Sequence, residues 1–275
     1  MDVEEYKNLI RENTPTPIEE KKRWALSGKL CCVYLEFRPL EDFIPHNLNN
    51  IANVYGNMSD VGLCVVFNSQ NKDIITEATN GWSNVMYYEL QKNDMSVDDY
   101  SRLLTLPGFW EKFSDFEFAM INQWDSYLFK PFESMFFNFD YVGSPCAHFY
   151  ILDNNGVSKN VCSFTCTCDR CKNDPSHMLK DINFVDYDKK FMMLNGGLSL
   201  RRVSKCIELC KTKNYDGEPE DVYFALSNLT RPMRIDCMYF AVQDPQFACA
   251  DPAGCHQIWI RNSPDYVREL FTRKR

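Results

Sequence analysis

Leu30-Cys31-Cys32-Val33-Tyr34-Leu35-Glu36 is a short, almost continuous apolar run, and Val61-Gly62-Leu63-Cys64-Val65-Val66-Phe67 repeats the pattern further on. Runs of this length and composition read as strands. Between them, residues 41–54 place apolar side chains at helical spacing (Phe43, Ile44, Leu48, Ile51, Ala52). Ile74, Ile75 and Ala78 suit a short helix closed by Asn80-Gly81, and Val85–Leu90 reads as a third strand. Ser96 followed by Asp99 signals a capped helix start, and Phe116–Ile121 is a fourth strand. Strands alternating with helices predict an α/β fold with a mostly parallel central sheet flanked by helices. Ligands bind such sheets beyond the carboxyl ends of the strands. That singles out Glu36-Phe37-Arg38, Asn68-Ser69 and Gln123-Trp124-Asp125-Ser126. The sequence contains neither a GxGxxG nor a GxxxxGK[ST] motif, so a dinucleotide fingerprint and a P-loop are both excluded.

The 275 residues are enough for one large domain or two small ones. The expected division is a helical leader over 1–28, containing Thr14-Pro15-Thr16-Pro17, and one catalytic domain over 29–275. Residues 146–188 break the strand–helix rhythm and read as a cysteine-rich insertion. A net charge of −8 argues against a general nucleic-acid binder. The chain has no apolar run of the roughly 18 residues that a membrane span needs. Met1-Asp2-Val3-Glu4-Glu5 is acidic and does not read as a signal peptide. With 13 cysteines and no such signal, a reducing, cytoplasmic setting is expected, with Cys31, Cys32 and Cys64 as buried thiols.

The residues that carry chemistry lie mostly further on. Asn195-Gly196-Gly197-Leu198-Ser199-Leu200-Arg201-Arg202 places a glycine pair between an apolar run, Phe191–Leu194, and an expected helix opening with two arginines. A glycine pair lets backbone approach a ligand closely. Arg201 and Arg202 suit phosphate contacts or a solvated helix face. Pro219-Glu220-Asp221 supplies a candidate general base, and equally an ordinary acidic helix start. Asp125, just past the fourth strand, suits a hard divalent cation or a turn cap. His256 is a candidate late metal ligand or a structural histidine. Cys162, Cys166, Cys168 and Cys171, with His177 as an alternative, could hold a structural Zn²⁺ or stand as reduced thiols.

Five blocks occur in order: Val33–Leu40, Gln123–Phe129, Asp140–Pro145, Asn195–Arg201 and Pro219–Phe224. Together they resemble a little-characterised GT-A-type glycosyltransferase family of large DNA viruses and fungi, over roughly residues 30–260. The resemblance implies a nucleotide-sugar-binding fold. Asp125 matches the last carboxylate of the DxD-type motif that holds Mn²⁺ or Mg²⁺ on the donor diphosphate. Gln123 stands where that motif has its first Asp. Glu36 and Arg38 match the first-strand block of nucleotide contacts. Asn195, Gly196 and Gly197 match the loop beside the transferred sugar. Asp221, with Glu220 as the second choice, matches the general base of inverting members, and His256 the histidine that completes metal coordination.

The implied function is metal-dependent transfer of a sugar from a nucleotide sugar, UDP-linked in first place, to a glycan or glycoprotein acceptor. Host cytoplasm is the expected location if the chain is viral. Trp82, Trp110, Trp124 and Trp259 are candidate sugar-stacking surfaces. The alternative is an inactive, zinc-stabilised interaction or carbohydrate-binding module of the same fold. A nucleotidyltransferase is a third reading, against which Glu36-Phe37-Arg38-Pro39 offers no glycine- and lysine-rich loop.

Overall fold

The computed structural model describes residues 1–14, 21–38, 43–146 and 194–273, together with 148–152, 158–163, 173 and 178–179. Helix α1 (Val3–Asn13) starts at Asp2, whose carboxylate accepts from the Glu5 amide at 2.8 Å. Then come β1 (Gly28–Glu36), α2 (Phe43–Asn57), β2 (Val61–Asn68), α3 (Lys72–Ala78) and β3 (Val85–Leu90). Helix α4 (Val97–Leu104) opens on the capping box expected at Ser96 and Asp99. After α5 (Pro107–Glu111) and β4 (Phe116–Asn122) the chain forms β5 (Ser126–Leu128) and β6 (Tyr141–Pro145). A small antiparallel pair, β7 (His148–Leu152) and β8 (Ser158–Ser163), is joined in parallel by β9 (Met178–Leu179). Next are β10 (Leu194–Arg202), α6 (Val203–Thr212), α7 (Glu220–Ala225) and α8 (Arg234–Phe240). The chain closes with β11 (Ala241–Val242), β12 (Gly254–His256), α9 (Ile258–Arg261) and α10 (Pro264–Thr272).

The central sheet has the order β3-β2-β1-β4-β10-β6. Strands β3, β2, β1 and β4 are parallel, and β10 runs antiparallel to both neighbours. Successive β1 side chains point to opposite faces. Cys31, Val33 and Leu35 join one core with Trp110 of α5, Cys206 of α6 and Phe224 of α7. Leu30, Cys32 and Tyr34 join another with Leu48, Ile51 and Val54 of α2 and Phe240 of α8. A strand buried on both faces has no polar side to show, which is why β1 and β2 read as unbroken apolar runs. Burial drives the Cys32 and Cys64 thiols up to about 12, so both stay protonated.

The stretch from Leu198 to Arg202 is strand, not the start of a helix, and α6 begins only at Val203. Its period is two: Leu198 and Leu200 enter the α2-side core, while Ser199 and Arg201 face the other way. Asn195 pairs with Ser144 and Ser199 with Gly143, so the chain bulges between Asn195 and Ser199. Cys162 lies in β8; Cys166, Cys168, Cys171 and His177 lie outside the described residues. No helix among the described residues is long and apolar enough to cross a membrane.

Helix α2 buries asparagines as well as its apolar stripe: Asn47, Asn50 and Asn53 are at most 3% exposed. Asn50 Nδ2 donates to the carbonyls of Gln123, Trp124 and Ser126 at 3.1, 3.1 and 2.7 Å. Asn53 donates to Leu128 O and accepts from Leu128 N, each at 2.9 Å. His46 Nε2 donates to Trp124 O at 2.6 Å. The loop after β4 therefore takes its shape from a helix some 75 residues earlier. Losing the Asn50 amide strands buried carbonyls, each worth about 1–3 kcal/mol. Asn50→Ala should cost about 2–3 kcal/mol in urea unfolding. Asn57→Ala, at the half-buried end of the stripe, should cost about 1 kcal/mol or less by the same measurement.

Candidate functional site

A cleft opens along the carboxyl ends of β1 and β4, where an α/β sheet is expected to bind ligands. It has two adjoining lobes of about 580 and 370 Å³, which share Phe37, Met95, Tyr100, Gln123 and Gln257. Glu36, Arg38, Trp124 and Asp125 border the larger lobe. Asn195, Gly196, Gly197, Asp221 and His256 border the smaller.

Asp125 and His256 are far apart in sequence and meet because β12 pairs with β5, setting His256 opposite Ser126. Both are buried. His256 Nε2 is 3.2 Å from Asp125 Oδ1 and 3.1 Å from Gln123 Oε1, while Gln243 Oε1 is 3.2 Å from Nδ1. Gln257 donates to Asp125 Oδ2 at 2.9 Å and, through its backbone, to Asp125 O at 3.0 Å. To do so Gln257 adopts φ +48°, a conformation costly for a non-glycine residue and concentrated at functional sites. Burial works against the Asp125 charge, but the proximity of His256 and the bond from Gln257 overcome it and hold the carboxyl below its ordinary value.

Among the described residues Asp125 Oδ1 is buried with no partner that meets hydrogen-bond geometry, although His256 Nε2 lies 3.2 Å away. A buried, unpartnered carboxylate oxygen is suited to a cation. Two ligands at right angles about Mg²⁺ stand about 3 Å apart, close to the 3.2 Å between Oδ1 and Nε2. Gln123 Oε1, a neutral oxygen, lies 3.1 Å from the same His256 Nε2. Among the described residues no group of three or more His, Cys, Asp or Glu side chains converges as a metal site.

In the larger lobe, Glu36 is buried and its oxygens are taken. It accepts from Arg38 N, Nε and Nη2 at 3.0, 2.9 and 2.6 Å, and from Asn47 Nδ2 at 3.0 Å. Glu36 therefore positions Arg38 and has little capacity left for a ligand. The half-exposed Arg38 guanidinium lies 4.3 Å from the Trp124 ring centre, giving the lobe a cation on an aromatic base.

In the smaller lobe the two neighbouring acids differ sharply. Glu220 Oε2 is 2.7 Å from Nη2 of Arg201, which is fully buried. Arg201 Nε donates to Ser199 Oγ at 3.0 Å, and its guanidinium lies 4.6 and 5.0 Å from the Phe224 and Tyr141 ring centres. The expectation of Arg201 as a phosphate contact is therefore corrected: it faces the core, paired with Glu220. Glu220 is correspondingly unsuited as the second choice of base. Arg202 binds Asp140, Glu117 and the Phe137 carbonyl, also away from the cleft. Asp221 is half-buried; among the described residues its carboxylate accepts from Val222 N at 2.8 Å and makes no ion pair. Burial first, and then the Glu220 charge, push its carboxyl up to about 7.

The glycine pair serves the protein's own side chains. A Cβ at Gly196 would collide with the Glu220 carboxylate, and one at Gly197 with the His256 ring. Gly197 O also accepts from Gln123 N and Ser126 Oγ, both at 3.0 Å, tying the β10 bulge to the Asp125 loop.

Sequence reading did not single out Tyr100, Gln243 or Gln257. Tyr100 OH accepts from Gln123 Nε2 at 3.0 Å and connects the two lobes. Isolated polar residues in loops carry no spacing signal, so only the fold reveals them. Among the tryptophans, Trp110 is core, Trp124 floors the larger lobe, Trp259 stacks on Tyr6 at 4.2 Å and Trp82 packs near Trp24.

The family described as "Protein of unknown function (DUF5672)" matches residues 85–256. No curated protein matches the chain. Among solved structures, 4-diphosphocytidyl-2C-methyl-D-erythritolsynthase from Anaerococcus prevotii is similar at a TM-score of 0.42 and 8% identity, covering 74% of this chain and 85% of that one. A likeness that distant does not bear on function.

Gly197→Ala should push the His256 ring away from Asp125 and leave the sheet folded. The check is the His256 ring resonances by NMR: they should move strongly, while amide shifts in β1 and β2 stay in place.

Proposed function

We propose that this chain, which belongs to the DUF5672 family of proteins of unknown function, is a glycosyltransferase of GT-A type. It moves a sugar from a nucleotide-sugar donor, UDP-linked in first place, to a hydroxyl of a glycan or glycoprotein acceptor, with inversion. The observation that carries this reading is Asp221: a carboxyl at about 7, with no ion pair among the described residues, lining the same cleft as Asp125 and His256. A general base works best with its pKa near the working pH.

The larger lobe would take the donor's nucleotide, with Arg38 as a cation for phosphate oxygens and Trp124 as the surface behind it. Asp125 Oδ1 and His256 Nε2 are the groups that would hold Mn²⁺ or Mg²⁺, which when bound supplies the positive charge that a departing nucleoside diphosphate requires. Gln243 and Gln257 fix the orientation of these two ligands. In the smaller lobe Asp221 accepts the acceptor hydroxyl's proton as that oxygen bonds to the anomeric carbon. The bond from that carbon to the diphosphate oxygen breaks on the opposite side, so the configuration inverts.

Asp221→Asn should lower kcat about 10²- to 10⁴-fold while leaving donor binding in place. The parent's kcat/KM should rise about tenfold per pH unit below about 7 and level off above it, and the variant should lack that ascending limb. An active Asp221→Asn enzyme would sink the assignment of the base.

Stability supplies a second readout with a fixed sign. The folded chain holds the Asp221 proton more tightly than the unfolded chain, whose carboxyl titrates near 4. Its contribution is therefore fully present below about 4 and declines as pH rises to about 7. Asp221→Asn cannot ionise, so it should melt higher than the parent at pH 8 and level with it at pH 4.

Asp125→Ala should abolish the Mn²⁺-dependent rise in melting temperature produced by UDP-sugars. An undiminished rise in that variant would remove Asp125 from the metal site.

A further inference from the structure

A third cavity, of about 510 Å³, lies at the opposite edge of the sheet, lined by the segments that enter β1, β2 and β3. Its walls include Arg23, Trp24, Tyr55, Met58, Asp60 and Asn84. Strand β1 spans nine residues, so this cavity is roughly 25–30 Å from the cleft. It is nearly as large as the larger lobe and falls in the usual range for ligand pockets. Its frame is tied by backbone bonds: Trp24 N to Ser83 O at 3.1 Å, Ser83 N to Lys22 O at 2.8 Å and Ala25 N to Val61 O at 3.0 Å. Asn84 Nδ2 donates to Trp24 O at 3.0 Å.

Three features mark this cavity as a binding site. Among the described residues three non-glycine positions have positive φ; Asp60 and Asn84 line this cavity, and Gln257 lines the cleft. Next, the exposed Arg23 guanidinium and Asp60 carboxylate make no ion pair among the described residues, although they line the same cavity. Finally, the half-buried Tyr55 in the same lining is held by the edge of Trp24 at 5.0 Å, with Lys22 Nζ 5.6 Å from its ring centre.

We infer that this cavity binds a neutral saccharide, separately from the cleft. A sugar ring has an apolar C–H face to lie on Tyr55 and Met58. Its paired hydroxyls can donate to the Asp60 carboxylate and accept from the Arg23 guanidinium. A purely apolar ligand would desolvate both charges without replacing their bonds, and a phosphorylated one would meet the Asp60 carboxylate. In an enzyme acting on glycans, such a site would grip a part of the acceptor remote from the reacting hydroxyl. Binding here can be measured without turnover, so its outcome is independent of the transferase reading.

The experiment is saturation-transfer NMR and calorimetry on the full chain, without sugar nucleotide. The probes are the methyl glycosides of glucose, galactose and N-acetylglucosamine and disaccharides of these sugars, with glycine and inorganic phosphate as controls. At least one saccharide should bind, and Asp60→Asn and Arg23→Gln should each weaken it tenfold or more. Both positions are exposed, and asparagine tolerates the conformation at 60. Asp221→Asn and Asp125→Ala should leave that binding unchanged. The inference is overturned if no saccharide binds, if binding survives both cavity substitutions, if it is lost in the cleft variants instead, or if glycine or phosphate binds in its place.

Discussion

The buried amide stripe of α2 is the constraint on which the cleft depends. Asparagines 47, 50 and 53 lie on a helix face that meets the loop after β4 rather than water. That loop runs from Gln123 into the short strand β5 and leaves several carbonyls inward. Asn50 and Asn53 answer those carbonyls and so fix the path from Gln123 to Leu128. Buried backbone groups that lack a partner are costly. The cheapest arrangement of this loop is therefore the one that presents Asp125 to the cleft. Asn47 extends the same device to Glu36, and through Glu36 to Arg38. One helix thus organises both the cation and the carboxylate of the larger lobe.

The second half of the cleft hangs on β10, the one antiparallel strand among the parallel ones. Running backwards, it starts at the edge where β1 and β4 end, and so brings Asn195–Gly197 to the carboxyl edge. Its bulge frees Gly197 O to accept from the Asp125 loop. The missing Cβ atoms then admit Glu220 on one side and His256 on the other. The glycine pair is thus a packing joint between three separate segments.

The sheet was legible because burial on both faces removes ambiguity: the apolar runs ending at Glu36, Phe67 and Leu90 and the run from Phe116 coincide with strands to within a residue or two. The carboxyl-edge rule then led to Glu36, Arg38, Gln123 and Asp125, all of which line the larger lobe. The reading of Arg201-Arg202 as the opening of a helix failed because arginine suggests solvent, whereas Arg201 is neutralised by Glu220 and ringed by aromatics. Pairing of that kind lies a dozen and more residues along the chain and leaves no local pattern. The asparagines of α2 were hidden for the same reason: hydropathy assigns them to water, and only their distant carbonyl partners explain their burial. Short strands such as β5 and β12 fall below the length at which periodicity can speak.

Glu220 and Asp221 show how neighbouring carboxylates are driven to different ends. On the first turn of α7, consecutive side chains diverge, so one turns to Arg201 and the other to the cleft. Arg201 spends its charge on Glu220, and the ion pair is shielded by Phe224 and Tyr141. Asp221 receives only a weak share of that positive charge while feeling the full proximity of Glu220. Burial raises the proton affinity of Asp221 most, and the neighbouring Glu220 charge adds to it. A site that neutralised every charge would be more stable and would leave no carboxyl titrating near neutral pH. The unmet charge at Asp221 costs stability at neutral pH, and a cost of that kind persists where the unpaired group has work to do.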